Sequence, residues 1–123
     1  DCYAGTFLPG DLDVSWTLRR REQLRSRFVR LVETVGASAE AASRWDEAIT
    51  RYRRGLDADE LTEKFHQGVM RCHLAAGRYA EGMAAYRRLR QTLSVLLGIA
   101  PSESSQALAR ALQREGAKRD IVV

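Results

Sequence analysis

Apolar residues recur every three to four positions along most of this chain, which is the spacing of one face of an α-helix. Trp16, Leu24, Phe28, Leu31, Val32 and Val35 define a first helix over about Trp16–Gly36, with Ser15 as its N-cap. Gly36-Ala37-Ser38 is a candidate break before the helix continues through Ala42. A second helix covers Arg44–Leu56, with Trp45, Ala48, Ile49, Tyr52 and Leu56 turned inward. Asp57-Ala58-Asp59 reads as a turn that supplies the cap of the next helix. That third helix runs over Glu60–Ala76, burying Leu61, Phe65, Val69 and Cys72, and Gly77 ends it. The fourth extends from Tyr79 to Leu97 with Met83, Tyr86, Leu89, Leu93 and Leu96 inward, and Gly98 terminates it. Pro101-Ser102 opens a last helix through Leu108 and Leu112, after which Glu115–Val123 frays. Asp1–Ser15, with Pro9-Gly10, reads as a loop whose Tyr3, Phe7, Leu8 and Leu12 cover one end of the helices.

Two of these segments are copies. Laid on each other, Arg44–Leu56 and Arg78–Arg90 match Arg44 to Arg78, Glu47 to Glu81, Tyr52 to Tyr86 and Arg53-Arg54 to Arg87-Arg88. Trp45 faces Tyr79, Ala48 faces Gly82 and Ile49 faces Met83. The offset of 34 residues is the period of a tetratricopeptide helix-turn-helix repeat. A single helix pair cannot hide its apolar stripe and must stack on a neighbour. The expected fold is therefore all-α: a tetratricopeptide-like right-handed stack of antiparallel helix pairs. One domain spans 1–123, with a capping loop at 1–15, a first repeat at 16–56, a second at 60–97 and a capping helix at 101–114. Two repeats fall below the usual minimum of about three, so loop and last helix are required as caps.

Composition narrows the class without changing this picture. The chain has 123 residues, enough for one compact core. Its formal charge of +4 comes almost wholly from arginine, and acids are interspersed, so basicity permits nucleic-acid contact without requiring it. No apolar run approaches the roughly 20 residues of a membrane span. Cys2 and Cys72 make no disulfide framework, and Cys72 sits at a buried helical position, which fits a reduced, cytoplasmic setting. The absence of an initiator Met suits a piece of a longer protein.

The order of short motifs is more specific than composition. Tyr3-x-Gly5-x-Phe7-Leu8-Pro9-Gly10, then Trp16, then Arg19-Arg20-Arg21-Glu22-x-Leu24 open the chain. Phe65-His66-x-Gly68-x-Met70-x-Cys72 and Gly77-Arg78 follow in the middle, and Tyr86-x-x-Leu89-Arg90 leads to Leu97-Gly98-Ile99-x-Pro101-Ser102. This series resembles the bacterial transcriptional activator domain over nearly the whole chain. The resemblance implies a helical, tetratricopeptide-like module of transcriptional regulators, the SARP-type and ATPase-linked ones included, involved in self-association and activation. In the SARP-type proteins a separate winged helix reads DNA, and nothing here matches it. Gly82 and Ser43 stand where the repeat usually has Ala and Gly.

Catalytic and metal-binding patterns are missing. His66 and His73, with Cys72, lack ligand spacing, and the adjacent Cys72 and His73 point apart on a helix. Glu47 and Glu81 are repeat equivalents, which explains both without acid–base work, and no nucleophile–base pair or phosphate-cradling loop is present. The expectation is a non-enzymatic domain without cofactor or metal that binds protein, either itself or the transcription machinery. In the tetratricopeptide arrangement the first helix of each pair lines a groove, to which Arg30, Glu33, Lys64, Gln67, Arg71 and Leu74 are assigned. An alternative is direct DNA contact through Arg19, Arg20, Arg21 and Arg25 of the first helix, and another is a generic peptide adaptor.

Overall fold

A computed structural model describes residues 9–122, with side chains for residues 15–118. Five helices follow one another: α1 (Pro9–Ala41), α2 (Trp45–Ala58), α3 (Glu63–Ala76), α4 (Tyr79–Leu97) and α5 (Glu103–Val122). Among the described residues there is no strand. Packing divides the chain into two units, Asp1–Leu31 and Val32–Val123.

The first unit departs from the expected loop. Helix α1 begins at Pro9, so residues 9–15 are helical, while residues 1–8 of the expected capping loop lie outside the described ones. Ser15 is accordingly inside the helix rather than its cap, and Gly36-Ala37-Ser38 does not break it. The inward set expected for this helix also needs correction. Trp16, Leu24 and Leu31 are exposed, at 61%, 53% and 62%, because helical spacing identifies a stripe but not whether anything covers it.

In the second unit, the end of α1 from Val32, then α2, α3, α4 and α5 form the array. Helix α3 is its centre, packing on α2, α4 and α5. Its Phe65, Val69, Met70 and Cys72 are buried, together with Ala48, Ile49 and Tyr52 of α2 and Leu89 and Leu93 of α4. Each of the larger side chains contributes about 1.5–3 kcal/mol by leaving water. Helix α5 closes the open side: Ala109 and Leu112 join Met70, with Leu74, Tyr79, Met83, Tyr86 and Leu108 packed around them. Leu96, expected inward, is 51% exposed.

The repeat-equivalent Tyr52 and Tyr86 both pack between helices, but Tyr52 is buried and Tyr86 only half-buried. The Tyr52 ring enters between α1 and α3, where a β-carbon on Gly36 or Gly68 would come within 2.5 Å of it. Tyr86 packs between α3 and α5, against the cluster of Met70, Ala109 and Leu112. Gly82 is another point of close approach: a β-carbon there would meet Leu112 at 2.5 Å.

Helix ends follow local chemistry. Gly77 and Gly98 adopt the left-handed conformation, with φ of 77° and 66°, and close α3 and α4. Ser43, the repeat equivalent of Gly77, holds φ of 60° in the same role. Helix α3 starts at Glu63 rather than Glu60, because the Asp59 side chain accepts the Leu61 N–H at 3.2 Å and turns the chain before the helix. The Ser102 hydroxyl accepts the Ser105 N–H as α5 begins, and that helix continues to Val122, well past the expected end near residue 114.

Candidate interaction surfaces

The residues assigned to the groove fall into three situations. Arg30 belongs to the first unit and is exposed on α1. Glu33, Lys64, Gln67 and Arg71 belong to the second unit, and their polar groups are held by ties between helices. Lys64 pairs with Glu33 at 3.6 Å, and Arg71 grips both oxygens of Glu40 at 2.9 and 3.2 Å. The Gln67 amide donates to the hydroxyls of Ser105 and Ser102 at 2.9 and 3.4 Å. Leu74 instead packs against the Met70–Ala109–Leu112 cluster.

Two carboxylates, Glu40 and Glu63, each join more than one group across helices, and sequence spacing gives no sign of either because their partners are distant in the chain. Glu40 accepts the Tyr52 hydroxyl at 2.6 Å besides Arg71. Burial works to raise its carboxyl, but the hydrogen bonds from Arg71 and Tyr52 and the charge of Arg71 outweigh it and hold Glu40 below the usual carboxylate range. Burial, with the same bond to Glu40, pushes the Tyr52 phenol up. Glu63 accepts the Ser102 N–H at 2.8 Å and the Ser105 hydroxyl, fastening α5 to α3. Against its partial burial those bonds lower its carboxyl as well.

On the other side α2 and α4 do not pack on each other, and a cleft of about 310 Å³ lies between them. Arg53 and Leu56 of α2, His66 and Val69 of α3, and Glu81, Ala84, Ala85 and Arg88 of α4 line it. Arg78 reaches Asp46 at 2.8 Å near the start of both helices, an ion pair by distance rather than a well-aligned hydrogen bond. Among the described residues Arg53 and Arg88 have no ion pair. Both histidines are buried, and His66 lines this cleft. His66 Nε2 meets the Glu60 carbonyl at 2.9 Å, and His73 Nδ1 accepts from Arg78 at 3.3 Å. Burial lowers the pKa of each, so the neutral form is favoured. Burial pushes the Cys72 thiol up to about 12, far from a reactive thiolate. No cluster of potential metal ligands occurs among the described residues.

The family model for the bacterial transcriptional activator domain matches residues 1–113. The chain belongs to that family. No curated protein and no solved structure shows a significant match. As a bacterial transcriptional activator domain it is a transcriptional-regulatory module, from a regulatory rather than an enzymatic family. None of its described helices is long and apolar enough to cross a membrane.

The arginines weighed for DNA contact in this activator domain all lie in the first unit. Arg19, Arg20, Arg21 and Arg25 are exposed on α1; Arg25 pairs with Glu22 at 3.2 Å, and Arg20 lies 5.6 Å from the centre of the Trp16 ring. Sequence reading passed over the cleft between α2 and α4, although the duplicated Arg53-Arg54 and Arg87-Arg88 pairs were visible. That two equivalent helices leave a gap is a property of stacking, which no single-helix pattern encodes. Nor did it find the exposed run of Val95, Leu96 and Leu97 in the last turn of α4 with Ile99 just past it.

Proposed function

We propose that this domain acts as a protein-interaction element of a cytoplasmic bacterial transcriptional regulator, without catalysis, by self-association or by contact with the transcription machinery. DNA is then read by another part of the regulator. The observation that carries this is the exposed apolar run Val95, Leu96, Leu97 and Ile99, with exposures of 73%, 51%, 52% and 52%, beside the arginine-rich length of α4. Exposed apolar residues in one stretch mark contact surfaces, and single scattered ones do not. The face bearing Glu33, Lys64, Gln67 and Arg71 is a less suited docking place, since a partner there would have to displace ties that join the helices. Light scattering on the intact regulator, with pull-down of its partners, tests the proposal. A strict monomer that captures no protein at any workable concentration would sink it.

A second reading, DNA contact through α1, is favoured by Arg19, Arg20 and Arg21, which are exposed and have no ion pair among the described residues. Phosphate contacts weaken steeply with salt. Gel-shift titration of this domain at low and moderate salt tests it, and absence of a shift at low salt removes it.

A further inference from the structure

We infer that the stripe of α1 formed by Trp16, Arg20, Leu24, Arg27 and Leu31 seats one acidic amphipathic helix of a partner protein. This rests on the protein-interaction reading above and adds to the α4 run a second surface with a stated occupant. The five residues follow one another at intervals of four, four, three and four. At ~100° per residue they fall within about 80° of each other around the helix. Arg20 lies over the Trp16 ring at 5.6 Å, which sets these two on one face. Trp16, Leu24 and Leu31 are each more than half exposed. Arg20 and Arg27 are exposed and have no ion pair among the described residues. From Trp16 to Leu31 the stripe is about 22 Å long at ~1.5 Å per residue, the length of roughly four turns of a second helix. Two helices laid side by side bury stripes of this kind against each other, apolar on apolar, with opposite charges paired alongside.

Hydrophobicity and charge together select the occupant. Three large apolar side chains in one stripe call for apolar cover, and Trp and Arg side by side are the residue types that dominate binding at protein interfaces. The arginines between them call for carboxylates, which this stretch does not supply. From Ser15 to Leu31 the sequence has six arginines and one acid, Glu22. By the helical period Glu22 falls on the side opposite the stripe, and it pairs with Arg25 at 3.2 Å. The next acid in line with the stripe is Asp13, before Trp16 at its outer end. The matching helix therefore carries an apolar stripe with its acids opposite Arg20 and Arg27. A second copy of α1 fits poorly, since it would set six arginines against six. A DNA duplex would neutralise the arginines but leave Leu24 and Leu31 against sugar and phosphate.

The probe is a fluorescein-labelled peptide of roughly 16 residues, with leucines on one helical stripe and glutamates beside it, titrated into the full 123-residue chain and into the intact regulator. Its counterpart has the same composition with the stripe scrambled. Saturable binding of the striped peptide alone is expected, to both proteins. Leu24→Gln with Leu31→Gln, which leaves the charge unchanged, weakens binding about tenfold, and Arg20→Glu with Arg27→Glu does the same. Arg19→Glu with Arg21→Glu alters the charge equally off the stripe and weakens binding by about threefold at most. All six positions are exposed, and a thermal melt by circular dichroism checks that each variant folds. Equal affinity for the scrambled peptide, binding of neither, equal loss in the two arginine variants, or binding undiminished by the leucine variant would each overturn the inference. So would displacement of the peptide by an unlabelled DNA duplex, or binding to the 123-residue chain but not to the intact regulator. Pull-down with the intact regulator separates the two readings. Partner capture that survives Leu24→Gln with Leu31→Gln removes the stripe and keeps the interaction role, whereas no capture by the unaltered protein removes that role itself.

Discussion

Tyr52 of α2 packs against Gly36 of α1 and Gly68 of α3, and those two glycines make its place. A methyl group on Gly68 would meet the ring at 2.5 Å, and the ring is held by its hydroxyl bond to Glu40, so it has little freedom to give way. Gly68→Ala is therefore expected to destabilise the domain by about 1–3 kcal/mol in urea unfolding, even though alanine favours a helix by up to ~1 kcal/mol over glycine. Ser43 tells the opposite story. Its φ of 60° is a conformation that side chains resist, and its equivalent Gly77 adopts it freely. Ser43→Gly should raise stability by about 0.5–1 kcal/mol in the same measurement, while Gly77→Ala lowers it by a similar amount. The pairing of Tyr52 with Tyr86, and of Ser43 with Gly77, could be read from the repeat. The grip of Glu40 on Tyr52 and Arg71 could not, because those three residues meet only after three helices have stacked.

Helix α3 carries the pH sensitivity of the array. His66 and His73 are 3% and 2% exposed, and burial depresses both, so the folded state binds these protons more weakly than the unfolded chain does. Stability from this source is complete above the ordinary imidazole value of about 6.5 and is lost as pH falls through the depressed folded values. The melting temperature should fall between pH 7 and pH 5, and the double variant His66→Gln, His73→Gln should flatten that slope, whatever its effect at pH 7. Glu40 and Glu63 have the same sign lower on the scale, since their carboxyls are held down in the folded state and their contribution disappears below the usual carboxylate range. Both effects come from neighbours that α3 gains by being central. The helical period showed Phe65, Val69 and Cys72 on its core face, but two histidines of ambiguous polarity could be assigned only once α2, α4 and α5 were in place around them.

At the scale of the molecule, the array survives with two repeats because α5 occupies the position a further repeat would take. Ala109 and Leu112 complete the cluster around Met70, and the Glu63 carboxylate ties the first turn of α5 to α3. Ending the chain at Ala100 would uncover Met70, Met83 and Tyr86 together. The shortened domain is expected to lose its cooperative thermal transition by circular dichroism and to bind the dye ANS at neutral pH. A sharp, unchanged melt would show that α3 and α4 need no cover. The cap role of the last helix was legible from Leu108 and Leu112 and from the shortfall in repeats. Its length was not, since Gly116 and the polar stretch after it disfavour a helix, yet α5 runs through them to Val122.

Local chemistry alone fixed the number of helices, the glycine-closed ends at Gly77 and Gly98, the duplicated hairpin and, through the ordered motifs, the family. These depend on residues within a few turns of each other or on a repeat written twice. Which apolar stripes found cover was decided in three dimensions. Phe65, Leu89 and Leu112 are buried, while Trp16, Leu24, Leu31 and Leu96 of equal hydrophobic character are exposed. So was the fate of charge, with Glu40, Glu63 and Arg71 spent on joining helices and Arg53 and Arg88 left facing a cleft. Burial and pairing are set by neighbours far away in the chain, and a periodic pattern records a preference for cover without recording what supplies it.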